Sequence, residues 1–215
     1  MCGRYSVLTE EEVIAVREII RNVSLRLARD ELDNYEVTQQ QHEVFPTNHA
    51  PIVTSNGDEL AFELGQFGFE KWDGKGVIIN ARSETIREKT MFKHLARRGR
   101  CVVPASGYYE WKDEGKKIKH LIKDKHGNLL FMAGLYRDGK GGREFVVITK
   151  ESTGQIRDIH DRMPVMLRTD QLEAWLSGEM PIETLEHLEY ECTGVPCEEA
   201  GKQAEIGDKE QMSMF

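Results

Sequence analysis

No stretch of this 215-residue chain stays apolar for the roughly eighteen residues that a membrane span needs, and its first residues lack the apolar core of a signal peptide. A cytoplasmic protein with no membrane partner is therefore expected. Cysteine is scarce: Cys2, Cys101, Cys192 and Cys197 are too few and too irregularly spaced for a disulfide framework, which suits a reducing compartment. Cys192 and Cys197 have no second Cys/His pair beside them, so zinc is not expected, and no other metal or cofactor is called for. Net positive charge is also missing. With a formal charge of −8 the chain cannot be a wholly basic nucleic-acid coat. What remains, 39% hydrophobic and 31% charged residues without an internal repeat, is the composition of one substantial globular core. One domain over 2–195 and a tail over 196–215 are expected, with the chain acting as a monomer.

Periodicity gives the elements. Thr9 followed by Glu12 forms a capping box, and Val13, Val16, Ile20, Val23 and Leu27 recur at helical spacing, which predicts a helix over about 10–30. The polar stretch 31–43 reads as a loop, and Asn56-Gly57 between two apolar runs predicts a hairpin. Ser83 is placed to cap a second helix running to about Arg98, with Gly99 as its stop. The runs "RCVVPASGYYEWK", "KIKHLIKD", "NLLFMAGLYR" and "EFVVITK" then read as an antiparallel meander, followed by a helix at "TDQLEAWLSG" and a shorter one at "PIETLEHLEY". Strands grouped in the middle with helices at both ends predict an α+β domain.

Charge is uneven along the chain. From Arg82 to Arg100 there are seven Lys or Arg against two acids, a candidate phosphate-facing patch on an acidic protein. Phe67, Phe69, Trp72 and Trp111 are candidates for stacking on bases, since single strands are held by cations on phosphates and aromatic faces under bases.

The start, "MCGRY", carries specific chemistry. Removal of Met1 leaves Cys2 with a free α-amine two carbons from its thiol. Such an aminothiol condenses with an aldehyde: the amine forms an imine, the thiol adds to the imine carbon, and a thiazolidine closes with its entropy largely prepaid. Reference pKa values of about 7.7 for the amine and about 8.5 for the thiol leave both groups reactive near neutral pH. Three further motifs supply partners: "INARSET" holds Asn80 and Arg82, "GYYEWK" sets Glu110 between aromatics, and "IHDRMP" sets His160 near Arg162. An imidazole is suited to moving a proton near pH 7, and a carboxyl between Tyr109 and Trp111 to holding a raised pKa.

Together with "CGRY", these motifs resemble the SOS response-associated peptidase family, whose members act as abasic-site processing proteins. The resemblance runs from Cys2 to about Trp175, with Phe67 standing where members often have tryptophan. It implies a barrel-like antiparallel sheet core flanked by helices, and covalent capture of abasic sites in single-stranded DNA, with possible lyase activity and autoprocessing of Met1. Cys2 would be the nucleophile, Asn80 a positioning group, and Glu110 and His160 acid/base groups. Arg4, Arg82, Thr149 and Arg162 match positions lining the family's DNA path, and Trp111 is the aromatic candidate beside them. Work at nucleoid DNA and replication forks is implied.

Two other functions stay open on the residues themselves: a thiol peptidase built on Cys2, His160 and Asn80, and a single-strand binder without chemistry. The chain ends in "QMSMF" after an acidic stretch poor in apolar residues. Gln211, Met212, Met214 and Phe215 resemble the bacterial sliding-clamp-binding pentapeptide, which makes a replication clamp an expected partner.

Overall fold

The computed structural model describes residues 2–23, 26–32, 43–56 and 58–197. The chain runs through strand β1 (Tyr5–Ser6), helix α1 (Glu10–Arg21), β2 (Arg26–Asp30), β3 (Glu43–Val44), and the hairpin of β4 (His49–Asn56) and β5 (Glu59–Phe67). A small hairpin of β6 (Phe69–Glu70) and β7 (Val77–Ile78) leads into β8 (Asn80–Arg82) and helix α2 (Thr90–Arg98). Then come β9 (Arg100–Ala105), β10 (Tyr108–Asp113), β11 (Lys117–Asp124), β12 (Leu130–Gly139) and β13 (Gly142–Glu151). After β14 (Arg162–Pro164), β15 (Met166–Leu167) and helix α3 (Leu172–Leu176), β16 (Cys192–Pro196) completes the described chain. No described helix is long and apolar enough to cross a membrane.

The strands form two main sheets rather than one meander. The order β13-β12-β9-β4-β5 returns to β13 through a parallel pairing of Glu144 with Gln66 and Phe145 with Phe67, so this sheet closes into a ring. The second sheet has the order β16-β11-β10-β1-β3. The chain crosses between them at Ser106-Gly107, so β9 and β10 are neighbours in sequence but belong to different sheets. A side chain at Gly107 would meet the Ile122 carbonyl of β11 at 2.8 Å, which explains a glycine where the chain enters the second sheet.

Strand alternation divides the interior. Along β13, Phe145 and Val147 join Cys2, Tyr5, Phe67, Tyr108 and Ile122 between the ring and the second sheet. Val146 and Ile148 point the other way, into a core shared with α1, α2 and α3. Both faces are buried, which is why "EFVVITK" and "RCVV" are continuous apolar runs without polar alternation.

The first helix is shorter than its periodicity predicts. Its capping box is present, with Thr9 Oγ1 accepting from Glu12 N at 3.2 Å, but Asn22 ends it. Leu27 belongs to β2, pairing in parallel with Leu60 of β5, and Arg17 on α1 donates to Asp30 on that strand at 2.7 Å. Strand pairing and this ion pair override a residue that only coincided with the helical period. The second helix is also trimmed: Ser83 opens a 3-10 turn over Ser83–Thr85, and the α-helix starts only after Lys89. Gly99 does end it. The two late segments are short, a five-residue α3 and a 3-10 turn over Ile182–His187.

The basic run does not lie on one surface. Arg100 is buried, donating from Nε to the Ala96 carbonyl at 2.7 Å and from Nη1 to the Met180 carbonyl at 2.7 Å, with its guanidinium 4.5 Å over the Trp175 ring. Arg87 pairs with Glu183 at 2.6 Å. Arg82, Lys89, Lys93, Arg97 and Arg98 remain exposed.

Candidate active site

Pairings along β13 assemble the site. After its pairing with β5, β13 takes up β8 in parallel, with Val147 opposite Asn80 and Thr149 opposite Arg82; its end takes up β14, with Glu151 opposite Arg162. Three separate segments are thereby brought beside the N-terminal residues. Cys2 has no exposed surface in the unprocessed chain. Its carbonyl accepts a hydrogen bond from Asn80 Nδ2 at 3.1 Å, and its thiol lies 3.9 Å from the Arg4 carbonyl. Asn80 Nδ2 also reaches the Val147 carbonyl at 3.4 Å, so two carbonyls orient the amide. Asn80 Oδ1 is buried and has no hydrogen-bond donor among the described residues, which leaves a buried acceptor on the side chain that holds Cys2.

Glu110 faces the same interior because β10 alternates. Tyr108 and Glu110 are buried, whereas Tyr109 and Trp111 lie on the opposite, partly exposed face. His160 follows a 3-10 turn over Gly154–Asp158, and its Nε2 lies 3.8 Å from Glu110 Oε2. The ring is held from behind: Nδ1 is 3.0 Å from Arg162 N, 3.2 Å from Arg162 O and 2.9 Å from Asp161 Oδ1.

Burial sets the protonation states. It raises the Glu110 carboxyl to about 7, with the positive chain terminus opposing and Asp161 adding to the rise. His160 is lowered from its ordinary value, first by burial. The Cys2 thiol is pushed well above the usual thiol range by burial and then by the charge of Glu110. The sulfur is therefore held as a neutral thiol beside a carboxyl that exchanges its proton near neutrality. Such a site can move a proton between a carboxyl, an imidazole and an amine while a thiol waits to add.

Arg162 and Thr149 sit beneath this centre. The Arg162 guanidinium pairs with both Glu84 oxygens, with Nη2 3.0 Å from Oε2, and donates to the Thr149 carbonyl at 2.8 Å. Arg162 and Thr149 are both buried, and Arg162 in turn holds the Glu84 carboxyl below the ordinary carboxylate range. Arg82 at the end of β8 is exposed.

Arg4 and Trp111 meet on the outer face of the second sheet, where the Arg4 guanidinium lies 4.9 Å from the Trp111 ring and 4.5 Å from the Phe45 ring. Lys119 on β11 lies 4.1 Å over Tyr109. Phe45, Tyr109, Lys119 and Glu43, which join this face, do not stand out in the sequence; the alternating lysines of "KIKHLIKD" are the available signal for Lys119.

Two of the proposed stacking aromatics are core residues. Phe67 and Phe69 are fully buried, with Phe67 stacked on Phe145 at 5.4 Å, so neither presents a face to a base. Trp72 is 99% exposed at the tip of the β6–β7 hairpin. Gly68 starts that hairpin at φ +110°, where a side chain would strike Val77 at 2.8 Å. Residues 211–215 lie outside the described residues. Among the described residues no group of three or more His, Cys, Asp or Glu could hold a metal ion. A cavity of about 610 Å³ lies elsewhere, lined by Ala15, Ile19, Phe131, Leu167 and Tyr190 among others, and includes none of the residues around Cys2.

The chain is similar to known proteins along most of its length. The family model described as SOS response associated peptidase (SRAP) matches residues 1–199. The Bacillus subtilis abasic site processing protein YoaM is 41% identical over 189 residues, covering 82% of this chain and 79% of the relative. The Escherichia coli abasic site processing protein YedK is 29% identical over 189 residues, covering 84% and 81%. A crystal structure of a Bacteroides thetaiotaomicron protein superposes with a TM-score of 0.73 at 26% identity, covering 91% of each chain.

Proposed function

Because the chain belongs to the SOS response associated peptidase family, we propose that it processes abasic sites by capturing them covalently in single-stranded DNA, through the α-amine and thiol of Cys2 once Met1 is gone. The observation that carries this reading is the convergence on Cys2: Asn80 pins its carbonyl at 3.1 Å, and the Glu110–His160 pair lies in the same interior. An abasic sugar is an aldehyde in its open form. His160 and Glu110 supply the proton that opens the ring, and Glu110, titrating near 7, takes the proton that the amine must shed before it attacks. The amine adds to C1, water leaves, and an imine forms. The neutral thiol then adds across the imine, its sulfur bonding to carbon while its proton passes to nitrogen, and the thiazolidine closes with one water released overall. Asn80 Oδ1 is positioned to accept from the amine or from a sugar hydroxyl.

The same imine, left unclosed, is open to β-elimination and strand cleavage, which is how a lyase activity would share the site. A thiol peptidase needs a thiolate generated by a neighbouring histidine, whereas burial in the unprocessed chain pushes the Cys2 thiol up, away from the thiolate. Arg4, Trp111, Trp72 and Arg82 offer cations and aromatic faces to a strand, and Arg162 and Thr149 support the site from below. The terminal Gln211, Met212, Met214 and Phe215 would tether the domain to a replication clamp, whose pocket takes a few apolar anchors.

The test is incubation of processed protein with an abasic single strand, followed by denaturing electrophoresis. The wild type forms a heat-stable shifted band. Cys2→Ser loses it yet keeps an imine that borohydride traps, because the amine remains. A heat-stable Cys2→Ser adduct would refute ring closure by sulfur.

A further inference from the structure

The outer face of the second sheet is a layer of cations lying on aromatic rings, and one carboxylate holds it together. Glu43 on β3 faces Arg4 Nη1 at 3.7 Å through Oε2 and accepts a short hydrogen bond from Lys119 Nζ through Oε1. Lys119 reaches Glu43 by crossing Tyr109, with its ammonium also 5.9 Å from the Trp111 ring. Arg4 lies between Phe45 and Trp111. The side chains of Glu43, Lys119 and Arg4 are 19%, 28% and 39% exposed, so the carboxylate is the most sheltered member. Its Oε2 is buried and accepts no hydrogen bond from the described residues.

Those partners are what a nucleic-acid phosphate would seek: two cations flanked by aromatic faces, one of them, Arg4, two residues along the chain from Cys2. A phosphate arriving there must break the Glu43 pairs or sit beside an uncompensated negative charge, and a base stacking on Tyr109 must displace Lys119. We propose that Glu43 is a built-in phosphate surrogate, which keeps this face closed to intact single strands and so limits how tightly undamaged DNA is held. The inference rests on the reading of Arg4 and Trp111 as part of a DNA path. With Glu43 in place, loose non-covalent binding lets the protein leave normal strands, and retention depends on chemistry at Cys2.

The test is binding of a fluorescent single strand without abasic sites, measured by anisotropy over a range of salt. Glu43→Gln keeps the shape and removes the charge; it is expected to tighten binding about three- to tenfold near 0.1 M salt, the scale of one partly screened charge pair. The slope of log affinity against log salt should steepen by about 0.7 for each further phosphate that the freed cations neutralise. Glu43→Asn serves as a second variant should the glutamine perturb β3, and Arg4→Ala and Trp111→Ala test the face itself. Tighter binding with a steeper slope in either Glu43 variant supports the proposal. If Arg4→Ala and Trp111→Ala weaken binding while both Glu43 variants match or fall below wild type with an unchanged slope, the surrogate role is overturned and the DNA face stands. If neither Arg4→Ala nor Trp111→Ala weakens binding, the face is not a DNA path and the proposal falls with that reading.

Discussion

Glu110 holds its proton to about pH 7 because β10 turns it into the interior, and this has two consequences that can be measured. Below about pH 4.5 the carboxyl is protonated in both folded and unfolded chains. Between there and about 7 the unfolded chain has released a proton that the folded chain keeps, so the contribution of Glu110 to stability falls as pH rises and levels off above 7. Glu110→Gln is neutral throughout; its stability relative to wild type should be nearly unchanged at pH 4.5 and higher by up to about 3 kcal/mol at pH 8, as read by denaturant melts. The same substitution should slow capture of abasic strands at least tenfold at pH 7.5 and remove a rate limb that rises toward pH 7 in wild type. A variant with unchanged rate and pH profile would take Glu110 out of the chemistry. The proposed site residues Cys2, Asn80, Glu110 and His160 were legible as candidates in the sequence because each is a chemistry-bearing residue inside a short distinctive motif. Glu43 was not: it ends a polar stretch, and only the β1–β3 and β10–β11 pairings bring it to Arg4 and Lys119.

Short elements carry much of the local strain and stitching. Thr47, between β3 and β4, has φ 75°, a left-handed conformation that a β-branched residue adopts at a cost. The turn is enforced by Thr47 N donating to the Phe67 carbonyl at 2.7 Å and Phe45 N donating to Asn48 Oδ1 at 2.9 Å. Thr47→Asn, which tolerates that backbone better, should stabilise the protein by about 0.5–1 kcal/mol, and no gain in a thermal melt would contradict the strain. Arg100 does the opposite work by binding carbonyls at the ends of α2 and α3. Arg100→Ala should cost about 2–4 kcal/mol, since it strips donors from buried carbonyls and packing from Trp175. At this scale the capping box of α1 and the β4–β5 hairpin follow from local rules. The end of α1 and the start of α2 do not, because β2 pairs with β5 and the turn at Ser83–Thr85 is tied through Glu84 to Arg162.

Over the whole molecule, an α+β fold could be anticipated from grouped strands, but not the division of those strands between a ring and a second sheet. Nothing local in "RCVVPASGYYEWK" marks the crossing at Ser106-Gly107, and it is this crossing that carries β10, with Glu110, into the second sheet, whose buried face shares a core with β13. The tail adds a second attachment to the proposed function: a peptide spanning 205–215 should bind the cognate clamp at tens of micromolar or tighter, and lose that binding with Gln211→Ala or Phe215→Ala. Binding indifferent to both changes would leave the segment without that role. The central claim is that capture needs the free α-amine of Cys2 as well as its thiol. It is tested most directly by comparing processed protein with a chain carrying an uncleavable extension ahead of Cys2, on the same abasic single strand, by denaturing electrophoresis. The account predicts a heat-stable adduct from the processed protein and none from the extended chain, whereas equal adduct yield from both would contradict it.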